Sequence, residues 1–262
     1  MSDLVTAAAR TLREAEASKV PCAPLRETFP GLDVALAYRV QAENTRLALG
    51  ERGRVVGRKI GLTSKAVQAQ LGVAEPDFGT LRADMCAGDA EEIAWSRLMQ
   101  PKAEAEIAVV LGRDLRAPGV TFAEALRAVE FALPALEVVG SRIAGWNIKL
   151  VDTIADNASS SVVVLGGSPR RLSDFDPRLC GMVIERRGEP VSLGAGAACL
   201  GHPINALVWL ANVMIDLGEP LQAGDLVMTG ALGPMVPVAP GDVLEARISG
   251  LGSVRAVFGG AT

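Results

Sequence analysis

The sequence predicts an α+β protein: a helical N-terminal segment over residues 1–54 and one continuous β-rich core over residues 55–262. Three observations predict it. Helix caps and a proline-rich loop organise the first fifty residues. From Val55 onward, short β-branched segments alternate with glycine-rich turns. A chain of 262 residues can also bury a substantial core, in one large domain or one domain with an appendage.

Taken in order, Ser2 or Asp3 caps a helix to about Ala17, and Asp33 caps a second to about Leu49. Pro21, Pro24, Pro30 and Gly31 mark the loop between them. Strand-like segments follow at Val55-Val56, Glu106–Leu111, Leu136–Val139, Ser161–Leu165, Met182–Glu185, Leu226–Thr229, Val243–Ile248 and Val254–Phe258. Ser249-Gly-Leu-Gly252 reads as a hairpin connection between the last two. Three helices interrupt the strands. Ser64 caps Lys65–Leu71, Thr121-Phe-Ala-Glu124 is a capping box opening a helix toward Glu130, and Asn205 caps Ala206–Leu217, which ends at Gly218. There is no internal repeat and no low-complexity tract.

Composition excludes several function classes. Net charge is −4, and basic and acidic residues alternate, which argues against a nucleic-acid or anionic-membrane surface. No secretory signal is expected at the N-terminus, and no apolar run is expected to reach the ~20 residues of a bilayer span. Cys22, Cys86, Cys180 and Cys199 are scattered, without C-x-x-C spacing, so a cytoplasmic protein with free thiols is expected. A hydrophobic content of 49% suggests extensive burial and a subunit interface.

The most informative stretch is Pro101-Lys-Ala-Glu104-Ala-Glu106-Ile-Ala-Val-Val-Leu111. Residues at i and i+2 of a strand share a face, so Glu104 and Glu106 present two carboxylates side by side. Glu137 lies in a second apolar run, Phe131–Val139. Burying like charges together is costly, and a hard divalent cation such as Mg²⁺ or Mn²⁺ removes the cost. The alternative is an edge strand whose glutamates face water.

Other chemistries are weaker. His202 is the single histidine and stands before Pro203, where a structural role is expected, so Ser-His-Asp and Cys-His mechanisms lack a base. Gly194-Ala-Gly196 lacks the third glycine and the strand–helix context of a dinucleotide site, and reads as a turn. Lys59, between glycines and apolar residues, is either partly desolvated, with its pKa lowered toward acid–base chemistry, or a solvated edge-strand lysine. Pro76-Asp77-Phe-Gly79 reads as a turn. Asp152, Asp156 and Asn157 form a polar cluster or a capped loop.

Six segments together resemble the 2-keto-4-pentenoate hydratase family of the fumarylacetoacetate hydrolase-like superfamily. They are Gly57–Ser64, Gln70–Gly79, Pro101–Glu106, Pro134–Arg142, Val151–Ser159 and Thr229–Met235, in order, with a match from about residue 5 to the C-terminus. Pro76-Asp-Phe-Gly79 and Gly140-Ser-Arg-Ile-Ala-Gly-Trp146 resemble the hydratase branch. The resemblance implies a mixed β-barrel or roll core of the fumarylacetoacetate hydrolase C-terminal type, and a divalent metal, Mg²⁺ or Mn²⁺, held by Glu104, Glu106 and Glu137. It implies Lys59 and Asp77 as the acid–base pair, and Leu62, Ser159, Ser160 and Thr229 as substrate contacts. The implied reaction adds water to 2-hydroxypenta-2,4-dienoate, giving 4-hydroxy-2-oxopentanoate in meta-cleavage degradation of aromatic compounds. A 4-oxalocrotonate-type decarboxylase of the same fold is the alternative. A homo-oligomer is implied too, with a downstream aldolase or a sister decarboxylase as a possible complex partner.

Overall fold

The computed structural model describes residues 3–50, 53–65, 68–69 and 73–261. Helices α1 (Asp3–Ser18), α2 (Leu25–Thr28) and α3 (Val34–Leu49) form the N-terminal segment. As expected, the Asp33 carboxylate caps α3, accepting the Leu36 N–H at 2.7 Å. Helix α2 is a single turn inside the proline loop, too short to carry a periodic signal. Of the helix expected over 65–71, several residues lie outside those described, as does Ser2; Lys65, Gln68 and Ala69 are helical.

The core consists of two sheets. The larger is mixed and uses β1 (Val55–Gly61), β2 (Asp77–Arg82), β3 (Cys86–Gly88), β5 (Lys102–Leu111), β6 (Val129–Val139), β7 (Ser160–Leu165), β10 (Leu226–Ala231) and β11 (Val236–Pro237). Its order is β2-β1-β10-β5-β6-β7-β3, with β11 pairing to β5. The smaller has the order β4-β13-β12-β8-β9, from β4 (Glu92–Ile93), β8 (Gly181–Arg186), β9 (Glu189–Ala195), β12 (Val243–Ile248) and β13 (Gly252–Phe258). Ala105, Ile107 and Val109 of β5 and Leu136 and Val138 of β6 share one core cluster with Ile184, Leu244, Ala246 and Val254 of the smaller sheet. By the strand period of two, the other face of β5 carries Lys102, Glu104 and Glu106.

Further along the chain come helices α4 (Phe122–Ala128), α5 (Leu150–Ala155) and α6 (Pro203–Asp216). The capping box of Thr121 and Glu124 is present, but α4 stops at Ala128 instead of Glu130. From Val129 the backbone is taken up by the long antiparallel pairing with β5, which outweighs local helix preference. Helix α6 is capped by His202 rather than Asn205: the His202 Nδ1 accepts the Ile204 N–H at 3.0 Å, and Asn205 turns back to the Leu200 carbonyl. It ends, as expected, at Gly218, which takes φ +78. Against expectation, one stretch among the described residues, Gly196–Asp216, has the length and apolarity of a bilayer span. Its helix is a core element, with Ile204, Leu207, Leu210 and Ala211 fully buried.

The N-terminal helices clamp the elements that carry the site. Val5, Ala8, Leu12, Ala37 and Val40 pack against Ile143, Ile154 and Ala155. Buried Gln41 donates to the carbonyls of Phe78 (3.0 Å) and Ile154 (2.8 Å), tying α3 to both β2 and α5. Tyr38 stacks on Phe78 at 4.5 Å between ring centroids. Arg26 pairs with the fully buried Asp152, whose Oδ1 also accepts the Arg26 N–H at 3.0 Å.

Candidate active site

Glu104 and Glu137 stand opposite each other in the β5–β6 ladder, and Glu106 lies two residues along the same face of β5. Carboxylate oxygens of all three lie within 4.8 Å of one another. Glu106 and Glu137 are fully buried, and Glu104 is partly exposed to a cavity. The edge-strand alternative is thereby excluded, since β5 is interior, flanked by β10 and β6.

Few protein groups compensate this charge. Glu106 Oε2 accepts the Gly230 N–H at 2.8 Å, while Glu106 Oε1 and both Glu137 oxygens have no hydrogen-bond partner. Gly230 is at φ +114, and a Cβ there would lie 2.3 Å from Thr63 Oγ1, so only glycine presents this N–H. Burial, then the neighbouring Glu137 carboxylate, pushes Glu104 up to about 7 and raises Glu106 well above the usual carboxylate range. Three converging hard-oxygen ligands with orphaned lone pairs, in a site too crowded with negative charge to be stable alone, fit a divalent cation.

Lys59, on β1 and almost wholly buried, donates to the Ala158 carbonyl at 2.9 Å. Its Nζ also lies 3.2 Å from Glu137 Oε2, an ion-pair contact without hydrogen-bond alignment. Burial alone would lower its pKa, as the sequence suggests, but Glu137, Asp77, Glu104 and Glu106 outweigh burial and hold it raised. In the metal-free protein Lys59 is therefore a charged ammonium: of the two readings the sequence leaves open, it is buried but not depressed, and not a solvated edge-strand lysine.

Asp77 lies on β2 and not in a turn, because its segment pairs with β1 and places Asp77 opposite Gly61. Its Oδ2 accepts from Thr153 Oγ1 at 3.3 Å, and its Oδ1 is buried without a partner. Burial raises its pKa, with Lys59 and the Thr153 hydroxyl opposing. Gly79 lets β2 approach the next segment closely: a Cβ there would lie 2.5 Å from the Asn157 carbonyl. Asn157, Ala158 and Ser159 all take left-handed φ, and the Asn157 side chain bonds both the N–H and the carbonyl of Thr80. That lock aims the Ala158 carbonyl at Lys59.

These groups border a cavity of about 110 Å³. Lys59, Asp77, Glu104, Ser159 and Leu62 line it, and Leu62 is itself held at φ +57. Two candidate contacts are not brought there. Ser160 lines a separate cleft of about 370 Å³ among Arg13, Arg82, Arg97 and Arg142, because the chain passes from the left-handed Ser159 into β7 at this step. Thr229 is fully buried and spends its hydroxyl on the Ile107 carbonyl at 2.8 Å. Among the described residues the larger cleft has no set of converging glutamates, so volume is a poor guide to the chemistry here. Sequence reasoning missed Thr153, Gly230, Trp146, Ile148 and Met235. The polar cluster at 152–157 was the visible signal for Thr153, and it resolves into locks: Asp152 to Arg26, Asp156 to buried Arg142, and Asn157 to Thr80.

The Fumarylacetoacetate (FAA) hydrolase C-terminal family model matches residues 47–258. A 2-keto-4-pentenoate hydratase of Paraburkholderia xenovorans is 60% identical over 96% of this chain and 93% of its own. The TodF product hydratase of Pseudomonas putida F1 is 58% identical over 98% of this chain and 99% of its own. Among solved structures, 4-oxalocrotonate decarboxylase from Pseudomonas putida G7, complexed with magnesium and adipate, superposes with a TM-score of 0.94 at 39% identity, covering 98% of both chains. The fold is shared over nearly the whole of both chains, yet sequence identity is markedly higher to these two hydratases. By that measure the chain belongs to the 2-keto-4-pentenoate hydratase family, within the fumarylacetoacetate hydrolase C-terminal fold.

Proposed function

We propose that this protein adds water to 2-hydroxypenta-2,4-dienoate to give 4-hydroxy-2-oxopentanoate, a step in meta-cleavage degradation of aromatic compounds. The observation that carries the reading is the convergence of Glu104, Glu106 and Glu137 beside Lys59 and Asp77 at a small cavity. The cavity is smaller than the ~150 Å³ space that admits a benzene ring, which suits a short-chain acid.

Glu104, Glu106 and Glu137 hold Mg²⁺ or Mn²⁺ in this reading. The cation, when bound, supplies Lewis-acid stabilisation of negative charge on the substrate's carboxylate and C2 oxygen. The chain's own residues move the protons. Lys59 delivers a proton from its ammonium to C5 and takes up the proton released from the C2 hydroxyl, converting the dienol to the 2-oxo-3-enoate. Asp77, with Oδ1 free of partners, takes a proton from the water whose oxygen adds at C4 and returns it to C3, completing the hydration. Ser159 and Leu62 line the substrate space, and Thr153 orients Asp77.

The decarboxylase reading is less favoured by the cavity wall. Among its described lining residues the one cation is Lys59, already paired with Glu137, and the remainder includes Leu62, Val139, Trp146, Ile148 and Met235. A second substrate carboxylate would find no free cation there. A cytoplasmic homo-oligomer, able to join an aldolase or a sister decarboxylase, completes the reading. Its support is the four free cysteines and the exposed apolar side chains Leu179, Leu193 and Leu217. The helical segment 1–54 serves as a clamp on the catalytic core 55–262. The deciding experiment follows ultraviolet loss of the dienoate with Mg²⁺, with Mn²⁺ and after chelation. Cation-dependent loss is expected; release of CO₂ from 2-oxohex-3-enedioate with no dienoate hydration would overturn the reading in favour of the decarboxylase.

A further inference from the structure

One wall of the cavity is held by a device that the proton-transfer roles leave unused. Gln100, Gly145 and Trp146 all take left-handed φ, at +48, +61 and +56. For the two residues with side chains that conformation is disfavoured, so it persists where surrounding bonds determine it. Here they do. Gln100 Nε2 donates to the carbonyls of Ser141 and Ile143, each at 2.8 Å, and Gln100 Oε1 accepts the Gly145 N–H at 2.8 Å. The Trp146 indole N–H donates to the Gln100 carbonyl at 3.0 Å. Lys102 Nζ sits 4.3 Å from the indole centroid, a cation–π contact on one face of the ring. The Gln100 main-chain carbonyl and the Lys102 ammonium thus hold the indole itself, and the Gln100 side chain holds the backbone that carries it.

The position relates directly to the carboxylates. Lys102 is opposite Val139 in the β5–β6 ladder, and Glu104 is opposite Glu137. Two residues of strand separate these pairs, about 7 Å. Val139 and Trp146 both line the cavity, so the wall stands one side-chain step beyond the polar end at which carboxylate and C2 oxygen would be held. That is where the far end of a short carbon chain would arrive.

We propose that Trp146 is the specificity-determining wall that limits the length of the substrate's carbon tail, with Gln100 and Lys102 as positioning residues. The proposal rests on the hydratase reading for the identity of the natural tail, although the wall itself is a matter of shape. Each additional methylene in a fixed apolar pocket changes selectivity on the order of tenfold or more.

The test uses the full-length, Mn²⁺-loaded protein and saturated 2-oxo acids of five, six and seven carbons as binding probes, measured by calorimetry. The parent protein is expected to lose affinity at least tenfold from the shortest to the longest acid. Trp146→Ala should abolish that decline, Trp146→Phe should retain most of it, and Gln100→Ala and Lys102→Met should weaken it while leaving Mn²⁺ affinity unchanged. An unchanged length profile in Trp146→Ala, with Mn²⁺ binding intact, overturns the proposal, as does a parent protein without a length profile. In parallel, the five- and six-carbon 2-hydroxydienoates are assayed for hydration. If neither is hydrated while the binding profile responds to Trp146→Ala, the hydratase reading falls and the wall stands. If Trp146→Ala fails to fold, the Gln100→Ala and Lys102→Met profiles decide, a shift toward longer acids supporting the wall and no shift overturning it.

Discussion

Glu104 and Glu137 face each other directly across the β5–β6 ladder, and the ammonium of Lys59 touches the second of them at 3.2 Å. Opposed like charges destabilise a strand pair unless something neutralises them. The ladder thus builds an unfavourable electrostatic arrangement into the centre of the larger sheet, and a divalent cation relieves it.

Replacing Glu106 by Gln removes a ligand charge while keeping its volume. Glu106→Gln is expected to lose Mg²⁺ or Mn²⁺ affinity by a factor of about 10 to 100 or more, by analogy with perturbed metal shells, and to lose activity with it. Its metal-free melting temperature should be equal to or above that of the parent, because a repulsive charge is gone. Full cation-dependent activity in this variant would refute its role as a ligand.

Cation binding should be coupled to pH. Glu104 is pushed up to about 7 from the ordinary 4.5, chiefly by burial and then by Glu137. The sign follows from the raised folded value: in the metal-free protein the carboxyl keeps its proton longer than in the unfolded chain. Its contribution to stability is therefore fully present below about 4.5 and is lost as pH rises through about 7. A cation needs the deprotonated form, so binding below pH of about 7 releases protons and weakens as pH falls. Calorimetry in buffers of different ionisation heat at pH 6 and pH 8 should show more proton release at the lower pH; equal release at both would contradict it.

Lys59→Ala is expected to lower kcat by about 10²- to 10⁴-fold, as loss of a proton-transfer group does, with a much smaller change in KM. Removing the ammonium also leaves Glu137 and its neighbours without their one positive partner among the described residues. The metal-free variant should therefore melt lower, by up to about 3–5 kcal/mol of stability. Added Mg²⁺ should recover most of that loss while turnover stays low. Parent-like kcat would take Lys59 out of the chemistry.

The clamp from the N-terminal segment should matter to the site. Arg26→Ala leaves the fully buried Asp152 without its guanidinium partner, which typically costs about 3–5 kcal/mol. Asp152 neighbours Thr153, the hydroxyl that bonds Asp77, so kcat should fall in the same variant at temperatures where it remains folded. A variant destabilised to this degree but with unaltered kcat would show that α5 keeps its geometry without the clamp.

The sequence alone was enough for whatever depends on a few neighbouring residues. The Asp33 and Thr121 caps, the Gly218 stop and the three-residue link between β12 and β13 are local chemistry, and they appear where expected. The shared face of Glu104 and Glu106 follows from the two-residue period of a strand, and the quoted segments point to the family at its full length. Tertiary structure decided what depends on partners far along the chain. Asp77 is a strand residue because β1 pairs with it, α4 ends early because β5 captures Val129, and His202 takes the α6 cap that Asn205 was expected to fill. Ser159 and Ser160 part company where the left-handed turn meets the start of β7, one into the cavity and the other into the cleft among arginines. In the metal-free protein Lys59 stays charged despite its apolar neighbours, because four carboxylates from three other strands surround it. Burial and Coulomb energy depend on distances in space, and those exist only once the register between strands is set.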